Sequence, residues 1–275
     1  AKRIVNVVPS DATRKGWRVL DDSGDADRLE KETKRLKVYD NVRRGLVWGR
    51  VYGAAIVLMV LDEDIPEAYR QNPGRWLEQP LDLSRVIRIR ALVPLESMDA
   101  RPHDVETDIR SPHFRETRLW AISASSSAAG NLAGKLVHRS RVLHFPGEEL
   151  PPYLRQMNNG IDASILDGIW DQIRNKTSVD QSAALLSQEL NVSALTVSGL
   201  EGISTEEQYA LFQARVLAIA RSKSLCNAVV MAQGELFENK AASVSGFKDL
   251  DDNAKQALCA VTGMPSAILY GEAPG

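Results

Sequence analysis

The chain has 275 residues, of which 44% are hydrophobic and 25% are charged, which is the ordinary balance of a globular protein and excludes a disordered chain. Its formal net charge is −2 at pH 7, so it lacks the basic excess that is typical of non-specific nucleic-acid binders. The longest apolar stretch, residues 45–61, is interrupted by Arg50 and is shorter than the roughly 20 residues of a membrane span, so no membrane partner is expected.

The first 61 residues predict a helical segment between two strands. Residues 4–8 are rich in β-branched side chains and predict a short strand that ends at Pro9. Residues 26–52 place apolar side chains at steps of three and four, which predicts an amphipathic helix. Gly53 precedes the apolar residues 54–61, which predict a buried strand by their length and branched content. Because the first residue is Ala1 and not Met, we expect the gene product to begin upstream.

Residues 65–145 predict strands that are separated by loops, with a short helix within residues 65–84. Isoleucine and arginine alternate over residues 85–90, which predicts a strand with Ile87 and Ile89 on one face and a solvated basic face. Polar residues 96–117 contain two prolines and predict a loop. Further strands are predicted at residues 119–123, 135–138 and 141–145, with a flexible tip at 125–130. The first 150 residues therefore predict an α/β or α+β body.

The second half is dominated by predicted helices. Residues 164–190 predict a long helix, and residues 192–197 predict a strand. Residues 204–207, Ser-Thr-Glu-Glu, form a capping box before a further helix. A hairpin is predicted at Gln233-Gly234, and a last helix begins at Asp251 or Asp252 and ends at Gly263. The helix that follows the capping box has an apolar stripe formed by Tyr209, Phe212, Val216 and Ile219.

No motif in the sequence indicates catalysis, a metal or a cofactor. There is no Gly-rich phosphate loop followed by Lys, no Gly-x-Ser-x-Gly elbow and no regular metal-ligand spacing among the four His residues. Cys226 and Cys259 have apolar neighbours, so we expect buried thiols and no disulfide. A His-x-Ser or His-x-Thr step that occurs twice would supply two imidazoles for acid–base catalysis on a phosphodiester. Here the step occurs once, at His138-Arg139-Ser140. A polar strand end explains a single copy, and we expect no catalytic residue.

Three segments carry a resemblance to a known family. The first is Gly53 with its buried strand, after an amphipathic helix. The second is residues 137–147, Val-His-Arg-Ser-Arg-Val-Leu-His-Phe-Pro-Gly, and the third is residues 262–275, Thr-Gly-Met-Pro-Ser-Ala-Ile-Leu-Tyr-Gly-Glu-Ala-Pro-Gly. Together they resemble the portal proteins of tailed phages, in a branch catalogued as a phage-associated domain of unknown function. The motif residues are His138, Ser140, Arg141, Gly147, Gly263, Pro265, Gly271 and Pro274.

The resemblance implies an α+β portal fold with an α/β wing, a two-helix stem and a small α/β clip. Residues 1–162 would form the wing, 163–191 the first stem helix and 192–247 the clip. Residues 248–263 would form the second stem helix, and 264–275 would begin the return to the wing through the tunnel loop. The crown and the tunnel loop are expected to lie outside this chain.

The resemblance also implies a function and partners. Portal subunits form a ring, usually dodecameric, at a unique capsid vertex, where double-stranded DNA passes during packaging and ejection. The implied partners are other copies of the chain, the terminase packaging motor, the head-tail connector and the major capsid protein. The implied location of the protein is the virion and, during assembly, the host cytoplasm. Tunnel-facing residues would be Asp249, Asp251, Asp252, Asn253 and Lys255, and motor or connector contacts in the clip would be Glu235, Glu238, Asn239 and Lys240.

Two other functions stay open at this point. One is a phosphodiesterase or nuclease with a portal-like N-terminal region that uses His138. The other is a capsid-associated scaffold protein without a channel. The acidic residues near the second stem helix fit a low-friction channel, but helix capping explains them equally well.

Overall fold

The computed structural model describes residues 1–17, 25–124, 126–189, 192–196, 205–226, 236–240 and 246–271. These residues form a mixed α+β fold, which confirms the predicted fold class at this level. All strand pairs among them are antiparallel, so the structure takes the α+β form and not the α/β form of the prediction. The chain divides into two compact units, Ala1–Arg174 with Gln256–Gly275, and Asn175–Lys255.

The helices and strands alternate irregularly along the chain. The helices are α1 (Lys2–Arg14), α2 (Ala26–Arg35), α3 (Val38–Tyr52), α4 (Pro73–Leu77), α5 (Pro152–Met157), α6 (Ile165–Glu189), α7 (Glu206–Cys226), α8 (Phe247–Thr262) and α9 (Ser266–Tyr270). The strands are β1 (Ala54–Glu63), β2 (Val86–Glu96), β3 (Ala100–Val105), β4 (Thr117–Ile122), β5 (Leu136–His138), β6 (Val142–Pro146), β7 (Val192–Thr196) and β8 (Leu236–Lys240). No described helix is long and apolar enough to cross a membrane.

Two three-stranded sheets share one core in the first unit. The first has the order β2-β1-β6 and the second β3-β4-β5. The predicted strand after Gly53 is confirmed as β1, whose first five residues are fully buried. Helix α3 packs on the first sheet at a close approach, because a Cβ on Gly49 would lie 2.6 Å from the carbonyl oxygen of Phe145. The shared core consists of Ile56, Leu58, Leu95, Ala100, Trp120, Ile122, Ala129, Val137 and Val142.

The strand predicted at residues 4–8 is wrong, because these residues belong to helix α1. Ile4, Val5 and Pro9 are buried at helical spacing on one side of the element, and α1 packs against α3. The gain from burying this face outweighs the β preference of the branched side chains. Proline lies within the helix, and its missing N–H leaves one carbonyl without its usual helical donor.

Between residues 85 and 130 one prediction is wrong and two gain detail. The loop predicted at 96–117 contains β3, an edge strand in which Pro102 is tolerated because the edge needs no donor there. The strand predicted at residues 85–90 is confirmed within β2, and its Ile87 is 72% exposed. The segment predicted as a tip contains Ala129, which is buried and belongs to the core.

The second unit contains the paired strands β7 and β8 and helix α7. The predicted strand at 192–197 is confirmed over Val192–Thr196, and the predicted helices correspond to α6, α7 and α8. Helix α8 begins at Phe247, four residues before the predicted Asp251. Ser204 of the capping box and the Gln233-Gly234 hairpin lie outside the described residues.

Candidate functional site

The His138-Arg139-Ser140 step forms a closed hydrogen-bonded turn between β5 and β6. The Ser140 N–H donates to His138 Nδ1 over 3.2 Å, and the Ser140 Oγ lies 2.8 Å from the same nitrogen. Because Nδ1 accepts the backbone proton, the serine hydroxyl also donates to it, while Ser140 Oγ accepts from the Leu81 N–H over 2.8 Å. The His138 side chain therefore caps a 3-10 turn at Arg139–Arg141 and ties it to the segment before β2.

The environment of this turn keeps His138 neutral. Burial lowers the pKa of the imidazole, and the positive charges of Arg139, Arg141 and Arg118 lower it further. A proton on Nδ1 would break both hydrogen bonds from Ser140. The turn and the charge state of the ring therefore support each other.

Arg141 makes a buried ion pair that joins three parts of the first unit. Its Nη1 lies 2.5 Å from Glu63 Oε2, and the two side chains are 2% and 5% exposed. Trp76 Nε1 donates to the same carboxylate oxygen over 3.1 Å, and the Arg141 guanidinium lies 5.5 Å from the centre of the Trp76 ring. Arg141 Nε also donates to the Gln79 carbonyl over 3.4 Å. Arg141 thus holds the end of β1 and helix α4 against the start of β6.

Gly147 lies where three backbone segments meet. Its N–H donates to the Gly53 carbonyl over 2.8 Å, and the next residue, Glu148, pairs with Ala163 through two backbone hydrogen bonds of 2.9 Å. A Cβ on Gly147 would overlap the Ala163 carbonyl oxygen and lie 2.6 Å from Gly53 Cα. Gly53 has a φ of +79°, and a Cβ there would overlap the Asp162 carbonyl oxygen. The two glycines are required because no side chain fits between these backbones.

A groove of about 800 Å³ opens beside this segment, between the two sheets. His144 lies in its wall with its ring centre 4.9 Å from that of Trp120, so it covers the edge of the core. Burial lowers the pKa of His144, and the charge of Arg155 adds to the effect. The ionisable residues that line this groove are His113, Glu116, Arg139, His144, Glu149, Arg155 and Asp162.

The charged residues of the groove are largely paired with one another. Glu116 Oε2 lies 2.8 Å from His113 Nδ1 and 2.9 Å from Arg139 Nη1. Arg155 Nε lies 3.3 Å from the buried Asp162. No group of His, Cys, Asp and Glu among the described residues could hold a metal ion. The groove therefore shows paired charges and no ligand cage among the described residues, and the one hydroxyl–imidazole pair at its edge is the Ser140–His138 turn.

The C-terminal motif residues end helices and turn the chain. Gly263 follows α8 with a φ of +63°, and Pro265 is the N-cap residue of α9. Gly271 ends α9 with a φ of +76°. Pro274 lies outside the described residues. The segment is fixed by a second apolar cluster of Ile4, Ile169, Leu258, Met264 and Leu269.

The candidate tunnel-facing residues of α8 have different environments. Asp249 and Asn253 are exposed one turn apart, whereas Asp252 is partly buried. Asp251 lies 3.0 Å from Lys176 Nζ and 3.1 Å from Lys255 Nζ, and hydrogen bonds from Lys176 and then Lys255 lower its pKa. The candidate clip residues Glu238, Asn239 and Lys240 lie in β8, whereas Glu235 lies outside the described residues.

Several residues with clear structural roles give little signal in the sequence. Glu63 lies between Asp62 and Asp64, and such acidic runs usually lie in solvent, yet it is the buried partner of Arg141. Trp76 lies in a short helix between two loops, and only the fold brings it to the same carboxylate. Lys176, which is 13% exposed, pairs with both Asp180 and Asp251. The i, i+4 spacing of Lys176 and Asp180 could have been found from the sequence, but the Asp251 contact could not.

The chain resembles several known proteins. It is 23% identical over its whole length to an anti-CBASS protein Acb1 of Caulobacter sp. strain RHG1, of which it covers 44%. It covers 52% of an uncharacterized protein of Haemophilus influenzae at 22% identity, so the chain spans about half the length of the curated relatives it matches.

Two solved structures are also similar. One is an HK97 family phage portal protein from Corynebacterium diphtheriae, with a TM-score of 0.38, 10% identity and coverage of 86% of this chain and 62% of that one. The other is the neck of a native GTA particle computed with C12 symmetry, with a TM-score of 0.43, 11% identity and coverage of 100% and 65%. The family profile described as phage portal protein matches residues 1–275. The chain therefore belongs to the phage portal protein family.

Proposed function

We propose that the chain is part of a portal subunit that assembles into a ring, usually dodecameric, at one capsid vertex. The ring is the conduit for genome packaging and ejection. The observation that carries this proposal is the match of the portal family over residues 1–275. In this assignment residues 1–162 form the wing, 163–191 and 248–263 the stem helices, 192–247 the clip and 264–275 the start of the return to the wing.

The apolar surface of α7 supports assembly. Tyr209 is 55% exposed, Leu211 72% and Leu217 58%, and Val216 is exposed as well. These side chains point to different sides of the helix, and large exposed apolar side chains are found mainly where another molecule covers them. A ring made of head-to-tail contacts buries two different faces of each subunit, and apolar side chains on different sides of α7 can contribute to such contacts.

Helix α8 supports a channel in which DNA moves with little friction. Asp249 and Asn253 are exposed on one side of the helix, whereas Asp251 and Lys255 neutralise each other with Lys176. We assign Asp249 and Asn253 to the channel wall, with Asp252 beside them. Acidic and neutral side chains of this kind do not bind phosphate by counterion release, which requires Lys or Arg. The clip, with Glu238, Asn239 and Lys240 on β8, would contact the packaging motor and the head-tail connector.

The proposal is tested by the mass of the protein in solution together with a negative-stain image. We expect a closed ring whose mass is a multiple of the subunit mass, with an axial hole. The variant Leu211→Asp/Leu217→Asp should shift the protein to smaller species, while Leu83→Asp/Ile87→Asp, which changes two exposed apolar residues of the other unit, should leave the ring intact. A strict monomer at all concentrations, with either sequence, contradicts the proposal.

A structural role, without catalysis, fits the way His138 is used. Its Nδ1 accepts hydrogen bonds from Ser140, so the motif acts as a turn cap. The alternative of a phosphodiesterase has one observation in its favour, because the lowered pKa leaves a neutral ring whose Nε2 could accept a proton. Hydrolysis of a phosphodiester substrate by the wild type, abolished in His138→Asn, would favour that alternative. A scaffold without a channel would be favoured by a ring or sheet in which α8 lines no pore.

A further inference from the structure

The near-neutral net charge hides an uneven distribution of charge along the chain. Residues 1–50 hold 13 Lys and Arg and 8 Asp and Glu, whereas the remaining residues hold 21 and 28. The basic part coincides with α1, α2 and α3. Charge asymmetry of this size within one chain indicates a surface that meets a polyanion.

Three of these basic side chains line one concave surface. A concavity of about 630 Å³, here called the α1–α3 concavity, is lined by Asn6, Lys37, Asp40, Asn41, Arg43, Arg44 and Val47. Lys37, Arg43 and Arg44 are exposed. Of the acidic side chains that the structure describes, none pairs with Lys37 or Arg44, and the Arg43 to Asp40 contact is long at 3.6 Å. The Arg44 guanidinium lies 5.8 Å from the centre of the Trp48 ring, which holds it in place.

The lining of this concavity favours a phosphate backbone over a protein partner. The centre of a protein interface is usually apolar and poor in charge, but the only aliphatic side chain in this concavity is that of Val47. Phosphate oxygens are bound mainly by Arg and Lys, with help from amide side chains such as those of Asn6 and Asn41. Lys37 and Arg44 are two helical turns apart, about 10 Å, so they can contact different phosphates of one strand.

We propose that the α1–α3 concavity binds the phosphate backbone of duplex DNA without sequence preference. The site lies in the unit Ala1–Arg174 with Gln256–Gly275, and α8 residues Asp249 and Asn253, assigned above to the channel wall, belong to the other unit. The proposal goes beyond the portal role, because it assigns DNA binding to basic residues other than those proposed for the channel wall. It also stands without a ring, since a single subunit presents all the residues of the concavity.

The test is fluorescence anisotropy of a short labelled DNA duplex, titrated with the purified protein at several salt concentrations. The variant Lys37→Gln/Arg43→Gln/Arg44→Gln removes the three cations, and Arg70→Gln/Arg75→Gln/Arg110→Gln removes three exposed cations elsewhere in the same unit. Three phosphate contacts add about 2.7 to the steepness with which the logarithm of the binding constant falls with the logarithm of the salt concentration. Between about 50 and about 200 mM salt, the wild type should therefore lose about 40-fold more affinity than the Lys37/Arg43/Arg44 variant. Circular dichroism checks that both variants are folded.

The outcomes separate the proposal from its competitors. Weaker binding with a shallower salt slope in the concavity variant alone supports it. Equal losses in both variants show diffuse electrostatic attraction and overturn it, as does the absence of wild-type binding at low salt. If the wild type binds no duplex and the concavity variant instead fails to assemble, the concavity is a protein contact, and the portal assignment survives while this proposal does not.

Discussion

Replacement of Arg141 by Met should destabilise the first unit more than any other single change of charge. Glu63 would be left ionised at 5% exposure with Trp76 Nε1 as its remaining donor. Breaking a buried pair in this way costs about 3–5 kcal/mol, because the remaining charge is desolvated without compensation. Arg139→Met is the matched control, since Arg139 pairs with the exposed Glu116 and such a pair contributes about 0–1 kcal/mol.

The measurement is equilibrium unfolding in urea, followed by tryptophan fluorescence. All five tryptophans of the chain lie before residue 175, so the signal reports on the unit that contains the ion pair. The double variant Arg141→Met/Glu63→Gln completes a mutant cycle, and its loss of stability should be smaller than the sum of the two single losses by at least about 1 kcal/mol. A loss below about 1 kcal/mol for Arg141→Met, or strictly additive losses, would refute the assigned role of this pair.

Three further outcomes are expected. Gly147→Ala should prevent folding or lower the melting temperature sharply in thermal unfolding, because its Cβ would overlap backbone atoms. Gly130→Ala should cost only about 1–2 kcal/mol, because Gly130 has a φ of +57° but a Cβ there meets open space. The pKa values of His138 and His144 are lowered in the folded state, so the unfolded chain binds more protons than the folded one. The free energy of unfolding should therefore fall as the pH drops below about 6.5. In His138→Asn, which keeps an acceptor for Ser140, this pH dependence should be flatter when it is measured by urea unfolding. Asp251→Asn should lower the stability of the second unit, measured by circular dichroism, whereas Asp252→Asn should not, since only Asp251 pairs with Lys176 and Lys255.

Much of the fold follows from local sequence, where pattern and environment agree. Strand β1 has an uninterrupted apolar run because both of its faces are covered, one by α3 and the other by the core that the two sheets share. Helices α6 and α8 occur where helices are predicted. The prediction fails at α1, whose branched residues prefer a strand until their burial against α3 decides otherwise. It also fails at β3, where an edge position permits proline and polar residues that normally indicate a loop.

The candidate site could be predicted only in part, because motif residues stand in the sequence without their partners. His138 and Ser140 are two residues apart, so a local turn between them could have been inferred. Glu63 and Arg141 are 78 residues apart, and only the packing of β6 on β1 brings them together. The basic concavity was hidden for a different reason, because a net charge of −2 averages a basic helical layer with an acidic remainder.

The most direct test of the portal assignment is an image of the assembled protein along its symmetry axis. We expect a closed ring with a central channel wide enough for duplex DNA, and with Asp249 and Asn253 of α8 on the channel wall. A homogeneous monomer, or a ring whose channel is closed or is lined by other elements, would contradict it.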